Sequence, residues 1–240
     1  MLLCISKAAL AGSPLHRDPP LPPKPEKVVV LHGLGLTNIS MLYIVNALRE
    51  ARYEVDNIRY HSTRDPLHVL IDEVYDKIDH YLTKTDQTVH FVCYSLGCLI
   101  TRGIIYQNPP MKLGRVVMLG PPNQGSEMAD YLKDHALSNW VFGPILPQLG
   151  TANRRMLANL IGTEVPYPVG VIAGKSWINP MGAAIIPGES DGTVAVERTK
   201  LPGMQDHIVL DVSHTGMLMD SAVTSQVLEF LKNGQFRHIP

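Results

Sequence analysis

The sequence predicts an α/β domain built on a mostly parallel sheet of about six strands, with helices on both faces. Two observations support this fold class. Short apolar runs recur along the chain, and such runs are typical of strands that are buried on both faces of a sheet. Segments with apolar residues at helical spacing lie between these runs. This alternation indicates parallel strands that are joined by right-handed crossover helices.

The predicted strands are rich in β-branched and other apolar residues, and turn residues separate them from the helices. In chain order they are KVVVLHG (27–33), YEVDNIRYH (53–61), TVHFVC (88–93), RVVMLG (115–120), YPVGVIAG (167–174) and HIVLDV (207–212). Helical spacing predicts helices over 39–52, 67–82, 96–107 and 216–232. Asp65 and Pro66 suit the N-cap and first turn of the second helix, and Gly234 suits the end of the last one.

The chain of 240 residues suits one large domain. Residues 1–26 are predicted to form a proline-rich arm, and residues 27–240 the domain itself. One long insertion, over 121–166, contains two stretches of helical pattern, SEMADYLKDHAL (126–137) and NRRMLANLIG (153–162). The insertion is either a lid over a ligand site or an ordinary crossover that packs on the sheet edge.

Composition excludes several classes of protein. A formal net charge of −1 offers no basic surface for nucleic acid, and no apolar run is long enough to predict a transmembrane helix. Three cysteines make no disulfide framework, and neither they nor the scattered histidines have the spacing of a zinc site. We therefore expect no metal and no organic cofactor. The oligomeric state is left open.

The N-terminus MLLCISKAALAGS (1–13) contains the small-residue triplet Ala9-Leu10-Ala11, which resembles a signal cleavage site. Lys7 interrupts the apolar run before it, and no basic segment precedes that run. These features slightly favour a cytoplasmic location. A truncated signal peptide would instead place the protein in the periplasm or outside the cell.

Three residues with complementary chemistry follow the carboxyl ends of predicted strands, where parallel sheets bind ligands. Ser95 follows the third strand, Asp191 follows the fifth after a long loop, and His214 follows the sixth. A serine hydroxyl is a weak nucleophile unless a base accepts its proton. A histidine can be that base, and a carboxylate can hold the histidine in the required tautomer. The three residues therefore predict a catalytic triad.

Ser95 lies within VHFVCYSLGCLI (89–100), a strand followed by a turn and a helix. The pattern of a nucleophile elbow is G-x-S-x-G, and Cys93 stands where the first glycine is usual. The predicted oxyanion donors are the N–H groups of Leu96 and Leu34, whose side chains are expected to line the acyl site. Further candidates for substrate contact are His32, Gly33 and Trp177.

Other residues compete for these roles. Glu189 is a rival for the acid because it lies two residues before Asp191, and an aspartate in a Ser-Asp-Gly turn is common without any catalytic role. Asp206 and Asp211 flank or lie in the last strand, and Asp211 is expected to point along it. Ser95 as a simple capping residue, or a cysteine as the nucleophile, is disfavoured because the serine has both partners. The apolar loop over 177–186 is either locally packed or an acyl-binding surface.

Together these motifs resemble the α/β-hydrolase superfamily, and within it the small bacterial lipases and esterases. The resemblance covers roughly residues 27–238 and rests on VVVLHGLG (28–35), FVCYSLGCL (91–99), VVMLGPPNQGSE (116–127), SDGTVAVERTK (190–200) and SHTGML (213–218). It implies the α/β-hydrolase fold, with Ser95 as nucleophile, Asp191 as acid and His214 as base. The oxyanion segment resembles the type that accompanies medium or long acyl chains. Cys93 and the long loop before Asp191 depart from the family pattern.

The resemblance implies a serine hydrolase that cleaves carboxylic esters, with lipid or medium- to long-chain acyl esters as preferred substrates. One alternative is the same machinery acting on small soluble esters, thioesters or amides. Another is a binding protein on a hydrolase scaffold that has lost catalysis. A nucleotide-binding domain is disfavoured because HGLGLT (32–37) lacks the glycine spacing of a dinucleotide site and no P-loop pattern occurs.

Overall fold

The computed structural model describes residues 25–84, 86–176 and 184–238. Most of the predicted N-terminal arm and the candidate Trp177 lie outside these residues. The strands are β1 (Lys27–Leu31), β2 (Glu54–Ile58), β3 (Val89–Tyr94), β4 (Leu113–Leu119), β5 (Val169–Gly174) and β6 (Asp206–Leu210). They form one parallel sheet of six strands in the order β2-β1-β3-β4-β5-β6. The predicted α/β class with a parallel sheet is confirmed.

Helices cover both faces of this sheet. The α-helices discussed below are α1 (Leu42–Glu50), α2 (Leu67–Thr83), α3 (Leu96–Gln107), α4 (Glu127–Lys133), α5 (Ala136–Phe142), α6 (Arg154–Ile161), α7 (Val196–Thr199) and α8 (Ser221–Asn233). Short 3-10 helices cover Asn38–Met41, Gly143–Leu149, Thr151–Asn153 and Gly216–Leu218. Within the described ranges, no helix combines the length and the apolar character that crossing a membrane requires.

The two-residue period of the strands divides the core between the faces. On one face, residues such as Val28, Val30 and Val92 pack with apolar residues of α1 and α8. On the other face, Leu31 and Phe91 pack with apolar residues of α2 and α3. Because β1 and β3 are buried throughout, their sequences are mainly apolar rather than alternating, and only Lys27 in β1 and His90 in β3 carry a charged or titratable imidazole group.

The start of α2 differs from the prediction. Asp65 is not the N-cap; Pro66 holds that position in an extended conformation, and no side chain of the cap residue bonds to the helix. The Leu67 N–H is satisfied instead by the side chain of Gln148, which accepts at 3.0 Å from 81 residues away. The last helix also begins later than predicted, with Asp220 as its N-cap. Gly234 ends it in the left-handed conformation, as predicted.

The insertion over 121–166 is helical as predicted, but the first predicted stretch (126–137) is divided between two helices, because α4 ends at Lys133 and α5 begins at Ala136. Ser126 caps α4 by accepting from the Ala129 N–H at 3.3 Å. Helices α4 and α5 and the 3-10 helix Gly143–Leu149 contact one another, whereas α6 packs on α3. The insertion therefore has two parts, of which only the first contributes to the cavity described below.

Candidate active site

Ser95 forms the sharp turn between β3 and α3. Its backbone has φ 52° and ψ −119°, a conformation that residues with a side chain rarely adopt. The Ser95 N–H donates to the Leu119 carbonyl at 2.9 Å, which ties the turn to β4. A Cβ atom at Gly97 would lie 2.5 Å from the carbonyl oxygen of His32, so glycine is required there. This is the strand-turn-helix geometry that the G-x-S-x-G pattern encodes.

The side chain of Cys93, two residues before the turn at Ser95, lies within the core, where it is completely buried. Its Sγ lies 3.5 Å from the Val117 carbonyl oxygen on the neighbouring strand. Cys98 is equally buried, and burial raises the pKa of its thiol well above the ordinary value. Neither thiol lines the cavity beside Ser95. Cysteine thus replaces the usual glycine as a small packing residue.

We expect Cys93→Gly to retain kcat/KM within about twofold, because the substitution restores the usual elbow pattern. The loss of a buried side chain should lower the free energy of unfolding by about 2 kcal/mol. Ester hydrolysis and urea denaturation measure the two effects, with Cys93→Ala as the control that retains a Cβ atom. If both variants fold but lose activity, the sulfur has a chemical role.

The structure brings Ser95, Asp191 and His214 together. Nε2 of His214 lies 3.1 Å from Oγ of Ser95, and Nδ1 lies 2.6 Å from Oδ2 of Asp191. Because an ionised carboxylate only accepts hydrogen bonds, Nδ1 must carry the imidazole hydrogen. Nε2 is then free to accept the hydrogen of the Ser95 hydroxyl. Such an arrangement can convert the hydroxyl into a nucleophile.

Backbone N–H groups of the loop that carries Asp191 hold its carboxylate in place. Oδ1 accepts from the N–H groups of Thr193 at 2.9 Å and Val194 at 2.8 Å, which leaves Oδ2 for His214. The His214 N–H also donates to the Asp191 carbonyl at 2.9 Å. Asp191 is only 2% exposed, so these bonds lie out of contact with bulk water. Backbone donors thus set which carboxylate oxygen faces the imidazole.

The structure places the competing carboxylates elsewhere. Glu189 is exposed. Asp206 accepts from the N–H groups of Phe236 and His207. Asp211 accepts from the Ser176 hydroxyl. Of these carboxylates, only that of Asp191 is hydrogen-bonded to His214 in the described part of the chain.

Two further residues, neither of them predicted from the sequence, position His214. The Tyr94 hydroxyl donates to the His214 carbonyl at 3.1 Å, and the two ring centroids are 4.9 Å apart. Burial raises the pKa of Tyr94 above its ordinary value, so the phenol remains a donor. A Cβ at Gly120 would lie 3.0 Å from Nδ1 of His214 and 3.1 Å from Oδ2 of Asp191. In the sequence, the feature that could have drawn attention to Gly120 is that a glycine ends the predicted strand RVVMLG (115–120).

Ser126 links α4 to the loop that carries Asp191. Besides capping α4, its hydroxyl donates to the Thr193 carbonyl at 2.7 Å. The Glu127 carboxylate reinforces this contact by accepting from Arg198 at 2.7 Å. The helix beside the cavity and the loop that carries Asp191 are therefore held by the same short segment.

The predicted oxyanion donors, Leu34 and Leu96, follow β1 and β3 in the chain. Leu96 is the first residue of α3, and Leu34 lies in the turn after β1. Within the described residues, neither N–H donates to a protein acceptor outside its own element. Leu34 lines the cavity beside Ser95. The side chain of Leu96 does not, because it is completely buried in the core, so the expectation that it lines the acyl site is wrong.

His32 and Gly33 do not line the cavity. His32 is fully buried, stacks on Tyr60 with centroids 4.1 Å apart, and accepts the Tyr60 hydroxyl hydrogen at its own carbonyl. Burial lowers the pKa of His32, which favours the neutral imidazole. At Gly33 a Cβ would lie 2.7 Å from the Tyr94 ring. Both residues thus support the loop that carries Leu34.

A cavity of about 290 Å³ opens beside Ser95 and His214. Most of its remaining wall is apolar and comes from the loops after β1 and β4, from α4 and the end of α5, and from the 3-10 helix Gly143–Leu149: Leu34, Leu36, Pro122, Met128, Ala129, Leu132, Phe142, Leu146 and Leu149. Tyr94, Ser126, Thr193, Val194 and Thr215 complete it. The cavity therefore suits an apolar group whose reactive end lies at Ser95.

Residues 27–161, more than half of the chain, match the family model described as palmitoyl protein thioesterase. The chain belongs to the palmitoyl protein thioesterase family. It is thus a hydrolase of esters or thioesters, and the resemblance to the α/β-hydrolase lipases and esterases is confirmed. No curated protein matches this family member at significant similarity.

Solved structures share the fold of this family member. The mature lipase BlEst2 of Bacillus licheniformis has a TM-score of 0.68 and 18% identity, over 93% of this chain and 96% of the lipase. A metagenomic carboxyl esterase has a TM-score of 0.62 and 18% identity, over 86% and 70% of the two chains. The thioesterase RedJ from the prodiginine pathway of Streptomyces coelicolor has a TM-score of 0.53 and 12% identity, over 92% and 98%. At these identities the likeness concerns the α/β-hydrolase fold alone.

Proposed function

We propose that this protein hydrolyses esters or thioesters of medium- and long-chain acyl groups through an acyl intermediate on Ser95. The observation that carries the proposal is the apolar cavity beside the Ser95 hydroxyl. A short acyl group would leave much of that wall in contact with water, whereas each buried CH₂ group contributes about 0.8 kcal/mol to binding. Membership of the palmitoyl protein thioesterase family supports the same class of substrate.

In the proposed first half-reaction, Nε2 of His214 accepts the Ser95 proton while Oγ attacks the acyl carbonyl. The Leu34 and Leu96 N–H groups donate to the oxyanion of the tetrahedral intermediate. The imidazolium, stabilised by Asp191, then protonates the departing alcohol or thiol. In the second half-reaction water attacks the acyl-serine with His214 again as base. The steps use only protein groups and water.

The surface near the cavity supports an amphiphilic substrate. On α5, Leu137 and Trp140 are three residues apart and share one helix face, and they are 72% and 83% exposed. Phe142, at the end of the same helix, lines the cavity. An apolar acyl chain that approaches along α5 would thus find apolar side chains before it reaches the cavity.

We expect kcat/KM for p-nitrophenyl esters to rise from acetate to chains of eight or more carbons, because longer chains bury more apolar surface in the cavity. A series from acetate to palmitate measures this preference. A maximum at acetate would contradict the acyl-chain assignment and indicate small soluble esters. The same acyl group on oxygen and sulfur leaving groups then tests whether thioesters are preferred.

The matched variant for this series is Met128→Trp. Met128 lines the cavity and is only partly buried, so a larger side chain can fill space without entering the core. We expect kcat/KM for long chains to fall about tenfold or more while that for acetate changes little. An equal loss at all chain lengths would place the acyl group elsewhere.

A further inference from the structure

A second cavity, of about 340 Å³, lies among α3, α6 and the segment Lys200–Pro202. It shares no lining residue with the cavity beside Ser95. Three of its lining side chains are cationic, those of Arg102, Arg154 and Lys200. Among the described residues that line it, none is acidic. The cavity is therefore positively charged, although the whole chain has a net charge of only −1.

Arg102 is the unusual member of this set because it is only 2% exposed. Its Nη1 donates to Oδ1 of Asn123 at 3.1 Å and its Nη2 to the Gly162 carbonyl at 2.7 Å, and both acceptors are neutral. Its Nε is buried without an acceptor in the described part of the chain. Burial lowers the pKa of the guanidinium. A buried cation is normally paired with an opposite charge, and this one has only neutral partners.

The other two cations lie on the more accessible wall. The Arg154 guanidinium donates to the neutral side chain of Gln124. Lys200 pairs with Glu197 at 2.5 Å, but the side chain of Glu197 is 79% exposed, so water screens the pair. Both cations can turn toward a ligand at little cost, because neither gives up a buried ion pair.

We propose that this cavity binds a phosphate group, either free or as a small phosphate monoester. The Arg154 guanidinium and the Lys200 ammonium would donate to the phosphate oxygens, since both groups match that chemistry. Arg102 supplies its charge from the buried side, where low polarity strengthens the attraction. The apolar part of the wall, which includes Leu157, Ile161 and Pro202, leaves room for a small organic substituent.

Binding is measured with purified full-length protein by thermal denaturation and by ³¹P NMR titration. With a dissociation constant of about 1 mM, about 20 mM inorganic phosphate should raise Tm by about 3–6 °C over chloride at equal ionic strength. Phenyl phosphate serves as the second probe. Tighter binding of phenyl phosphate identifies a monoester site, whereas equal binding identifies a site for free phosphate. No binding of either probe overturns the proposal.

The decisive variant is Arg154→Gln combined with Lys200→Gln, which alters only accessible side chains and should reduce phosphate affinity at least tenfold. The matched control is Arg155→Gln, because Arg155 is the next residue of α6 and does not line the cavity. Arg155→Gln should bind phosphate like the wild type. Equal loss in both variants would show a nonspecific effect of charge, and retained binding in the double variant would place the phosphate outside this cavity; either result overturns the proposal. Arg102→Gln is a third variant, and its phosphate affinity is interpreted only if its far-UV circular-dichroism spectrum is native.

Ser95→Ala should bind phosphate with the affinity of the wild type, so this test is independent of the proposed hydrolysis.

Discussion

Replacement of Ser95 by alanine should lower kcat for p-nitrophenyl esters by about 10⁶-fold, down to the background rate. The reason is that Oγ is the atom 3.1 Å from Nε2 of His214, and no other hydroxyl in the described structure is hydrogen-bonded to that nitrogen. The fold should persist, since the backbone of the turn is held by the Ser95 N–H and carbonyl rather than by the side chain. Initial rates and Tm, which should change by about 2 °C or less, are the measurements.

A covalent probe sharpens this experiment. A fluorophosphonate should label the wild type with one equivalent per chain and leave Ser95→Ala unlabelled. Ser126→Ala is the matched serine control, because Ser126 also lines the cavity but its hydroxyl is engaged with Thr193. Labelling that survives in Ser95→Ala would assign the nucleophile to another residue. A folded wild type that neither labels nor turns over any ester would favour the non-catalytic alternative.

Asp191→Asn should reduce kcat by about 10⁴-fold with little change in KM. The geometry makes the effect specific. The N–H groups of Thr193 and Val194 require an oxygen at the position of Oδ1, so the asparagine NH₂ must face Nδ1 of His214. That NH₂ group donates a hydrogen bond and forces the imidazole hydrogen onto Nε2. In this tautomer His214 cannot accept the Ser95 proton.

Glu189→Gln is the matched control for this prediction. It makes the same chemical change two residues away, on an exposed side chain, and its backbone carbonyl retains the bond from the Val196 N–H. We expect kcat within about twofold of the wild type. A severe loss in Glu189→Gln, with Asp191→Asn active, would reverse the assignment of the acid.

The strands were the most predictable part of the fold, but their ends were not. Burial on both faces leaves an unbroken apolar run, and that pattern is visible without any knowledge of the partners. The second strand was predicted over 53–61, whereas β2 ends at Ile58. Ile58 lies opposite Leu31, the last residue of β1, and β2 pairs with no other strand among the described residues. A strand at a sheet edge thus ends where its partner ends, which its own sequence does not record.

The start of α2 was mispredicted for a similar reason. Asp65 and Pro66 form a favourable local signal for an N-cap and a first turn. The observed cap is instead completed by Gln148, which belongs to the insertion. A contact across 81 residues outweighed the local preference. Ser126 and Asp220, by contrast, cap the helices that directly follow them, because their acceptors and donors are only three residues apart.

The order of strands and helices can be predicted from the sequence alone, and so can the position of a serine, an acid and a histidine at the carboxyl end of the sheet. Each of these features depends on the period and composition of a short segment. The tertiary structure decided which carboxylate reaches His214, why a cysteine fits beside Ser95, and why Gly120 and Tyr94 matter. It also showed that Arg102 is buried and that, within the described residues, its hydrogen-bond partners are neutral. These features depend on spatial distances between residues that are far apart in the chain. Ser95 and His214, for example, are separated by 119 positions in the sequence, and only packing brings their side chains together.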